Sequence, residues 1–162
     1  MIKQVFARGF STEDHMFTFT MIYEKCTEFQ LNGWVAAIDF KKAFDSISHS
    51  FLWKSLSNQG VPKGYIRLLR HLYDDQVGFV KTDVKSRGFH ILRGTKQGDP
   101  LSSLLFNSVL EQILGPLKIQ WEQKQYGLQM GPSSSTRITN LRFADDVLLI
   151  GRSLPQIKQM LQ

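Results

Sequence analysis

The chain has 162 residues, of which 42% are hydrophobic and twelve are phenylalanines, so it can bury a core and is not a disordered tail. Twenty Lys and Arg residues against fourteen Asp and Glu give a net charge of +6, which favours a polyanionic partner such as nucleic acid. The single cysteine excludes an intrachain disulfide, and no apolar run approaches the roughly 20 residues of a membrane helix.

Hydrophobic periodicity and turn residues divide the chain into helices and strands. Apolar side chains recur at helical spacing in some segments, and short apolar runs bounded by Gly, Asn or Asp mark others as strands. In chain order, the predicted elements are a helix over 12–29, a strand over 34–38, a helix over 46–58, a helix from Pro62, a hairpin turning at 83–85, a long helix from Pro100, a hairpin of RITNLRF and VLLIG turning at 144–146, and a helix from Ser153. The pattern is typical of an α+β fold with helices packed on one face of an antiparallel sheet.

Helix-terminal residues support several of these boundaries. Ser11 with Asp14 resembles a capping box, and Asp45 and Asp99 are N-cap candidates for the two helices that follow them. Gly60 is expected to end the helix before it. The patch GPSSSTR reads as an exposed loop, and the apolar run WVAAI reads as a buried strand.

Basic residues are spread along the chain, so the sequence has no separate basic tail. A denser stretch lies in the predicted hairpin and the loop after it: Lys81, Lys85, Arg87, Arg93 and Lys96. A solvated hairpin explains these charges as well as a nucleic-acid contact does.

The turn at Asp145 and Asp146 sets two carboxylates beside an unbroken apolar run, Val147 to Ile150. Asp is common in turns, so in isolation the pair could be a solvated hairpin tip. The apolar run, however, places the pair at the rim of buried structure, where adjacent anions repel each other unless a cation neutralises them. Mg²⁺ is the hard cation that carboxylate oxygens prefer.

A further carboxylate, Asp39, ends the predicted strand 34–38 without a helix to cap, because Asp45 is nearer to the next helix. If this strand lies beside the hairpin of residues 138–150, Asp39 and Asp145 can hold two metal ions about 3.5 to 4 Å apart. That arrangement stabilises the attacking and leaving oxygens of phosphoryl or nucleotidyl transfer.

The segment RGTKQGDPLS precedes the long predicted helix. Gln97 and Gly98 would offer a small, flexible backbone to a substrate at the helix N-terminus, with Arg93 and Lys96 near phosphates. Taken alone, a glycine-containing turn before a capped helix explains these residues better.

Three motifs in this order resemble the palm of a reverse transcriptase of the LINE-like, non-LTR retrotransposon type. They are IDFKKAFDSI, RGTKQGDPLSSLLFN and FADD, supported by STEDHMFTF and HSFLWKSL. The resemblance covers nearly the whole chain and implies an RRM-like, ferredoxin-like palm. It divides a single partial domain, 1–162, into late fingers with an entry helix over 1–33 and palm over 34–162, with the thumb and endonuclease absent.

The resemblance implies that Asp39 and Asp145 bind two Mg²⁺ ions, or Mn²⁺ in their place, and that Asp146 completes the carboxylate set. These three residues would be the catalytic group. Divalent ions at such a site activate a nucleophile and neutralise the leaving group.

Substrate contacts are implied for four other positions. The backbone around Phe40 would line the triphosphate of the incoming nucleotide, and Phe44 falls at the sugar gate of the family, where a bulky ring excludes a 2′-hydroxyl. Gln97 and Gly98 would contact the nucleotide and the template. A core phenylalanine is the structural alternative for Phe44, and its position five residues after Asp39 favours the sugar gate over that alternative.

The function implied is RNA-directed DNA synthesis, with a deoxynucleotide transferred to a primer 3′-hydroxyl. Expected partners are an RNA template, a DNA primer, the nucleotide and the rest of a retrotransposon polyprotein, without a membrane, in the cytoplasm and nucleus. Arg93 and Lys96 would bind the nucleic acid. The isolated 162 residues are expected to extend a primer poorly.

Two alternatives to polymerisation remain at this point. One is a catalytically silent, nucleic-acid-binding remnant, because Ala7 and Phe10 stand where the family usually has arginines. The other is a two-metal nuclease, which the Phe44 position and the Gln97–Gly98 loop disfavour because neither has an obvious use there.

Overall fold

Helices and strands occur in mixed order along the chain in the computed structural model, which describes residues 12–96, 98–129, 137–143 and 145–162. The elements are α1 (Thr12–Glu28), β1 (Trp34–Ile38), a 3₁₀ turn (Phe44–Ser46), α2 (His49–Asn58), α3 (Lys63–Tyr73), β2 (Val77–Gly78), β3 (Phe89–His90), α4 (Pro100–Gln123), β4 (Leu128–Gln129), β5 (Arg137–Ile138), β6 (Asn140–Phe143), β7 (Asp146–Gly151) and α5 (Leu154–Met160). The predicted α+β class is confirmed. Among the described helices, none is both long and apolar enough to cross a membrane.

The chain forms two compact units, one made of residues up to Phe40 and from Ile113 onwards, the other of Lys41–Gln112. The first unit contains a three-stranded antiparallel sheet in the order β1-β7-β6. Ile38 at the end of β1 pairs with Val147 of β7. The strand that leads to Asp39 therefore lies beside the predicted hairpin, as the two-metal hypothesis requires.

The central strand β7 is buried on both faces. Val147 and Leu149 are each 1% exposed, and Ile150, whose side chain points to the opposite face, is 0% exposed. Ile150 belongs to a buried cluster completed by Ile22, Leu128 and Leu141. Helix α5 also contacts β7 and β1. The antiparallel sheet was predicted, but its central strand is covered more completely than helices on one face would achieve.

Strand β1 is more exposed than its sequence predicted. Trp34 is 44% exposed and Val35 is 47% exposed, although WVAAI was interpreted as a buried strand. The reason is that β1 is an edge strand of its sheet, hydrogen-bonded to β7 alone among the described strands. An apolar run predicts that a segment forms a strand, but it does not show how many strands or helices pack against that strand.

The second unit contains the paired helices α2 and α3, and the start of α2 differs from its prediction. Helix α2 begins at His49 with Ser48 as N-cap, three residues later than predicted, and Asp45 is not the cap. Asp45 lies instead in the 3₁₀ turn Phe44–Ser46. Ile47 after this turn has an extended backbone, with ψ of 121°, so the helical turn cannot continue into α2.

Both predicted hairpins are confirmed. Strand β2 pairs with β3, and Asp146 of β7 pairs with Phe143 of β6 across the acidic turn. The predicted strand RITNLRF is divided, because its first two residues form β5, which pairs with β4.

Other predicted helix ends are also confirmed. The N–H of Leu101 donates to Oδ1 of Asp99 at 2.9 Å, as expected of the cap of α4. Gly60 follows the end of α2. Ser11 of the proposed capping box and residues 131–136 of the proposed loop lie outside the described residues.

Candidate functional site

The three predicted acidic residues lie at one end of the β1-β7-β6 sheet. Asp39 directly follows Ile38, which pairs with Val147, so the antiparallel register continues towards Asp146. Asp146 begins β7, and Asp145 lies in the turn before it. The sheet therefore brings an early carboxylate and a late pair to the same edge of the first unit.

These carboxylates stand at the border between solvent and core. Asp39 and Asp146 are exposed and Asp145 is half-buried, whereas Val147 beside them is 1% exposed. The predicted rim position of the acidic pair is confirmed. Such a position lets the side chains meet a hydrated ion while the backbone is fixed by strand pairing.

The donor chemistry suits a hard divalent ion, because carboxylate oxygens are its preferred ligands. Within the described ranges, however, no group of three or more His, Cys, Asp or Glu side chains could hold a metal ion. Mg²⁺ in nucleotide sites commonly takes one or two carboxylates together with substrate phosphates and water. These carboxylates are suited to an ion whose remaining ligands come from substrate phosphates and water. Their assignment as metal ligands stays a prediction.

The predicted substrate residues Phe40 and Phe44 fall in different units. Phe40, next to Asp39 in the first unit, is 36% exposed. Phe44, in the 3₁₀ turn of the second unit, is half-buried, and its ring centroid lies 4.9 Å from that of Phe106. The Thr95 N–H donates to the Phe44 carbonyl at 2.9 Å. Phe44 is thus fixed through both its ring and its backbone.

The RGT segment before α4 is hydrogen-bonded to residues near the 3₁₀ turn, which sequence reasoning missed. Gly94 N–H donates to the Ile47 carbonyl at 2.8 Å, and His49 Nε2 lies 2.8 Å from the Gly94 carbonyl. Gly94 has a φ of +91°, and a Cβ there would lie 3.0 Å from the Cα of Asp45. Only glycine fits this approach. In the sequence, the glycine between Arg93 and Thr95 was the only indication of this close backbone approach.

The other predicted loop residues can be placed in part. Arg93 and Lys96 are exposed, and Gly98 has open space where a Cβ would lie. Gln97 lies outside the described residues. The buried hydroxyls of Thr95 and Ser102 have no hydrogen-bond partner among the residues that the structure describes. Polar groups of this kind can receive a water or a ligand.

Comparison with known proteins gives a family match over almost the whole chain. The model of a family described as reverse transcriptase (RNA-dependent DNA polymerase) matches residues 3–162.

Curated relatives include Pol polyproteins of retrotransposable elements. The R2DM polyprotein of Drosophila melanogaster is 34% identical over 122 residues, which are 74% of this chain and 11% of the relative. An R2 polyprotein of Popillia japonica is 36% identical over 118 residues, or 72% of this chain and 16% of the relative. One from Nasonia vitripennis is 35% identical over 123 residues, or 74% and 11%. The chain therefore spans a small part of the relatives it matches.

Solved structures with a similar fold include telomerases. Telomerase from Candida albicans, solved with a fragment of telomeric RNA, matches with a TM-score of 0.64 and 20% identity over 93% of this chain and 28% of that chain. Apo telomerase from Candida tropicalis gives a TM-score of 0.66 and 14% identity with the same coverage of both chains. At these identities the likeness concerns the fold alone, and it confirms the expected palm-type arrangement of helices and antiparallel sheet.

Proposed function

The chain belongs to the reverse transcriptase family, and we propose that it carries the metal-binding and nucleotide-binding part of an RNA-directed DNA polymerase encoded by a non-LTR retrotransposon. Relatives at 34% and 36% identity over most of its length, both retrotransposon Pol polyproteins, support this proposal. The observation that carries it is the register of β1 on β7, which aligns Asp39 with the Asp145–Asp146 turn.

Asp39 and Asp145 would hold two Mg²⁺ ions, with Asp146 in a supporting position and Mn²⁺ as a substitute ion. When bound, the ions supply activation of the primer 3′-hydroxyl and neutralise charge on the departing pyrophosphate. The chain contributes carboxylates from the end of one strand and from a tight turn, both held by backbone pairing. Because substrate phosphates complete such sites, we expect the ions to bind more tightly when the nucleotide is present.

Selection of the nucleotide would fall to the segment after Asp39. The backbone at Phe40 would line the triphosphate, and the ring of Phe44 would exclude a 2′-hydroxyl. Phe106 and Thr95 would keep Phe44 in place through the ring contact and the hydrogen bond described above.

The loop before α4 would contact the template. Gln97 and Gly98 would meet the nucleotide and the template base, and exposed Arg93 and Lys96 would pair with phosphates. The partners are then an RNA template, a DNA primer, a deoxynucleoside triphosphate and the rest of a polyprotein, acting in the cytoplasm and nucleus.

Primer extension on an RNA template with Mg²⁺, using the chain restored to full length, tests this proposal. We expect Asp145→Ala to lower extension by about 10³-fold or more, because the lost carboxylate is a metal ligand in the transition state. Asp74→Ala is the matched control, since its side chain is 64% exposed and lies in the other unit. The control should extend like the unchanged protein.

Each other outcome identifies an alternative. RNA binding without extension by the unchanged protein would favour the silent remnant, and strand cleavage would favour a nuclease. Equal extension by Asp145→Ala and the unchanged protein would remove this carboxylate from the mechanism.

A further inference from the structure

The first unit contains a pocket at the end of its sheet opposite the acidic residues. Strand β1 begins at Trp34, which pairs with Gly151, and five residues later the chain reaches Asp39 at the acidic edge. At about 3.4 Å per residue, these two ends are roughly 17 Å apart. The pocket has a volume of about 310 Å³, and the proposed polymerase chemistry assigns it no role. The residues that line it are Leu31, Asn32, Leu128, Gln129, Arg137 and Arg152.

Two guanidinium groups line this pocket, and none of its described lining residues is Asp or Glu, so the lining carries a charge of +2. Arg137 is half-buried and donates long hydrogen bonds, of 3.5 Å to the Gly127 carbonyl and 3.4 Å to Oε1 of Gln129. Exposed Arg152 donates to the Gln125 carbonyl at 3.4 Å. Neither arginine forms a salt bridge with another described residue. A guanidinium has more N–H donors than these bonds use, so both arginines can also bind an anion.

A buried glutamine fixes the backbone beside the two arginines. Oε1 of Gln156, which is 8% exposed, accepts hydrogen bonds from the Arg152 N–H at 2.8 Å and from the Gly127 N–H at 3.2 Å. Arg137 begins β5 and pairs with Gln129 of β4. The backbone at both arginines is therefore held by bonds that do not involve their charges. A site arranged before its ligand arrives binds that ligand at a lower entropic cost.

We propose that this pocket binds a phosphate monoester, whose oxygens accept hydrogen bonds from the two guanidiniums and from the side-chain amides of Asn32 and Gln129. A phosphate monoester carries a charge of about −1.5 to −2 at pH 7, which matches the charge of the pocket. A carboxylate or a backbone phosphodiester has a single negative charge and would leave one guanidinium without an anion. The apolar side chains of Leu31 and Leu128 suit the organic part of such a ligand.

Isothermal titration calorimetry with inorganic phosphate, using the chain restored to full length, tests this pocket. EDTA in the buffer keeps divalent ions from the acidic edge, so phosphate cannot bind there through a metal. We expect Arg137→Ala and Arg152→Ala each to weaken phosphate binding about tenfold or more, because each removes charge-assisted hydrogen bonds. Arg137→Lys should restore only part of the affinity, since lysine keeps the charge but lacks the planar fork.

The matched control is Lys158→Ala, which removes an exposed cation of the same unit that does not line the pocket. This variant should bind phosphate like the unchanged protein. Circular dichroism of each variant checks that the fold is retained. Because Arg152 is exposed, Arg152→Ala keeps the test valid even if the half-buried position Arg137 does not tolerate alanine.

Two further probes identify the source of the phosphate group. Tighter binding of adenosine 5′-monophosphate than of inorganic phosphate would support a small nucleotide-like ligand. Tighter binding of a 5′-phosphorylated RNA than of the same RNA with a 5′-hydroxyl would support the end of a nucleic acid. Acetate binding as tight as that of phosphate, or phosphate binding unchanged in both alanine variants, would overturn the inference.

The pocket does not rest on the proposed function, and the two proposals fail separately. Asp145→Ala should lose primer extension but bind phosphate like the unchanged protein, because Asp145 lies at the opposite end of the sheet. Failure of the unchanged protein to extend primers while it binds phosphate would contradict the polymerase function alone. Extension by a protein whose Arg137→Ala and Arg152→Ala forms bind phosphate normally would contradict the pocket alone.

Discussion

The β1-β7-β6 sheet and the two-stranded ribbon of β2 and β3, residues 76–92, are both antiparallel and both rich in apolar residues, yet their burial is opposite. Ile150 in the central strand of the sheet is 0% exposed, whereas Val84 in the ribbon is 77% exposed. The sheet gives β7 a neighbouring strand on each side and packed helices, while the ribbon pairs only with itself among the described strands. Strand pairing alone therefore does not bury side chains, and the second layer does so.

The largest expected contrast comes from removing side-chain volume in each region. Ile150→Ala should lower the free energy of unfolding by about 3 kcal/mol, because the site is closed and cannot collapse fully. Val84→Ala in the ribbon should change it by less than about 0.5 kcal/mol. Urea denaturation of the two variants gives both values. Equal losses would show that the ribbon is packed as tightly as the sheet.

A smaller contrast comes from adding a methyl group at a glycine in each region. At Gly151 a Cβ would lie 2.8 Å from Oε1 of Gln156, which accepts hydrogen bonds from the N–H groups of Arg152 and Gly127. Gly151→Ala should therefore destabilise the fold by about 2 kcal/mol.

The matched change is Gly78→Ala, where the Phe89 ring occupies a similar space but is 51% exposed. The ring can turn towards solvent, so urea denaturation should show a change below about 1 kcal/mol. A loss at Gly78 as large as that at Gly151 would mean that the ring is held in place.

The smallest contrast concerns two serine hydroxyls. Ser153 caps α5 by accepting a hydrogen bond from the Gln156 N–H at 3.3 Å, so Ser153→Ala should cost about 1 kcal/mol, and Ser153→Asp should restore most of it. Ser86 accepts from the Val80 N–H at 2.9 Å in the exposed ribbon. Water can replace that bond, so thermal or urea unfolding of Ser86→Ala should differ by less than about 0.5 kcal/mol. A larger loss at Ser86 than at Ser153 would contradict this ranking.

Much of the fold could be predicted because its signals are local. Helical spacing placed α1 within one residue of its observed end, and the Asp99 side chain marked the start of α4. The alignment of Asp39 with the acidic hairpin was a condition of the two-metal hypothesis, and the sequence shows its two components, an apolar run followed by Asp39 and another preceded by the Asp145–Asp146 pair. The exposure of β1 could not be predicted, because a strand's position at the edge of a sheet depends on which other strands pair with it. The apolar run WVAAI does not contain that information.

Local sequence patterns predicted only part of the site. Carboxylates at strand ends are visible in the sequence, but the bond of His49 to the Gly94 carbonyl joins residues 45 positions apart. No local pattern announces such a bond. The late start of α2 has a similar origin, because the carbonyls of Phe44 and Ile47 accept hydrogen bonds from the N–H groups of Thr95 and Gly94, which are distant in the sequence.

The backbone bonds from Gly94 to Ile47 and from Thr95 to Phe44 have a mechanical consequence. A displacement of the loop before α4 must carry the 3₁₀ turn with it, because the two segments share these bonds. If Phe44 excludes ribonucleotides and the loop contacts the template, sugar selection and template positioning depend on the same hydrogen-bonded pair of segments. Substitutions that weaken the hydrogen bonds between the loop and the 3₁₀ turn should increase both ribonucleotide incorporation and base misincorporation.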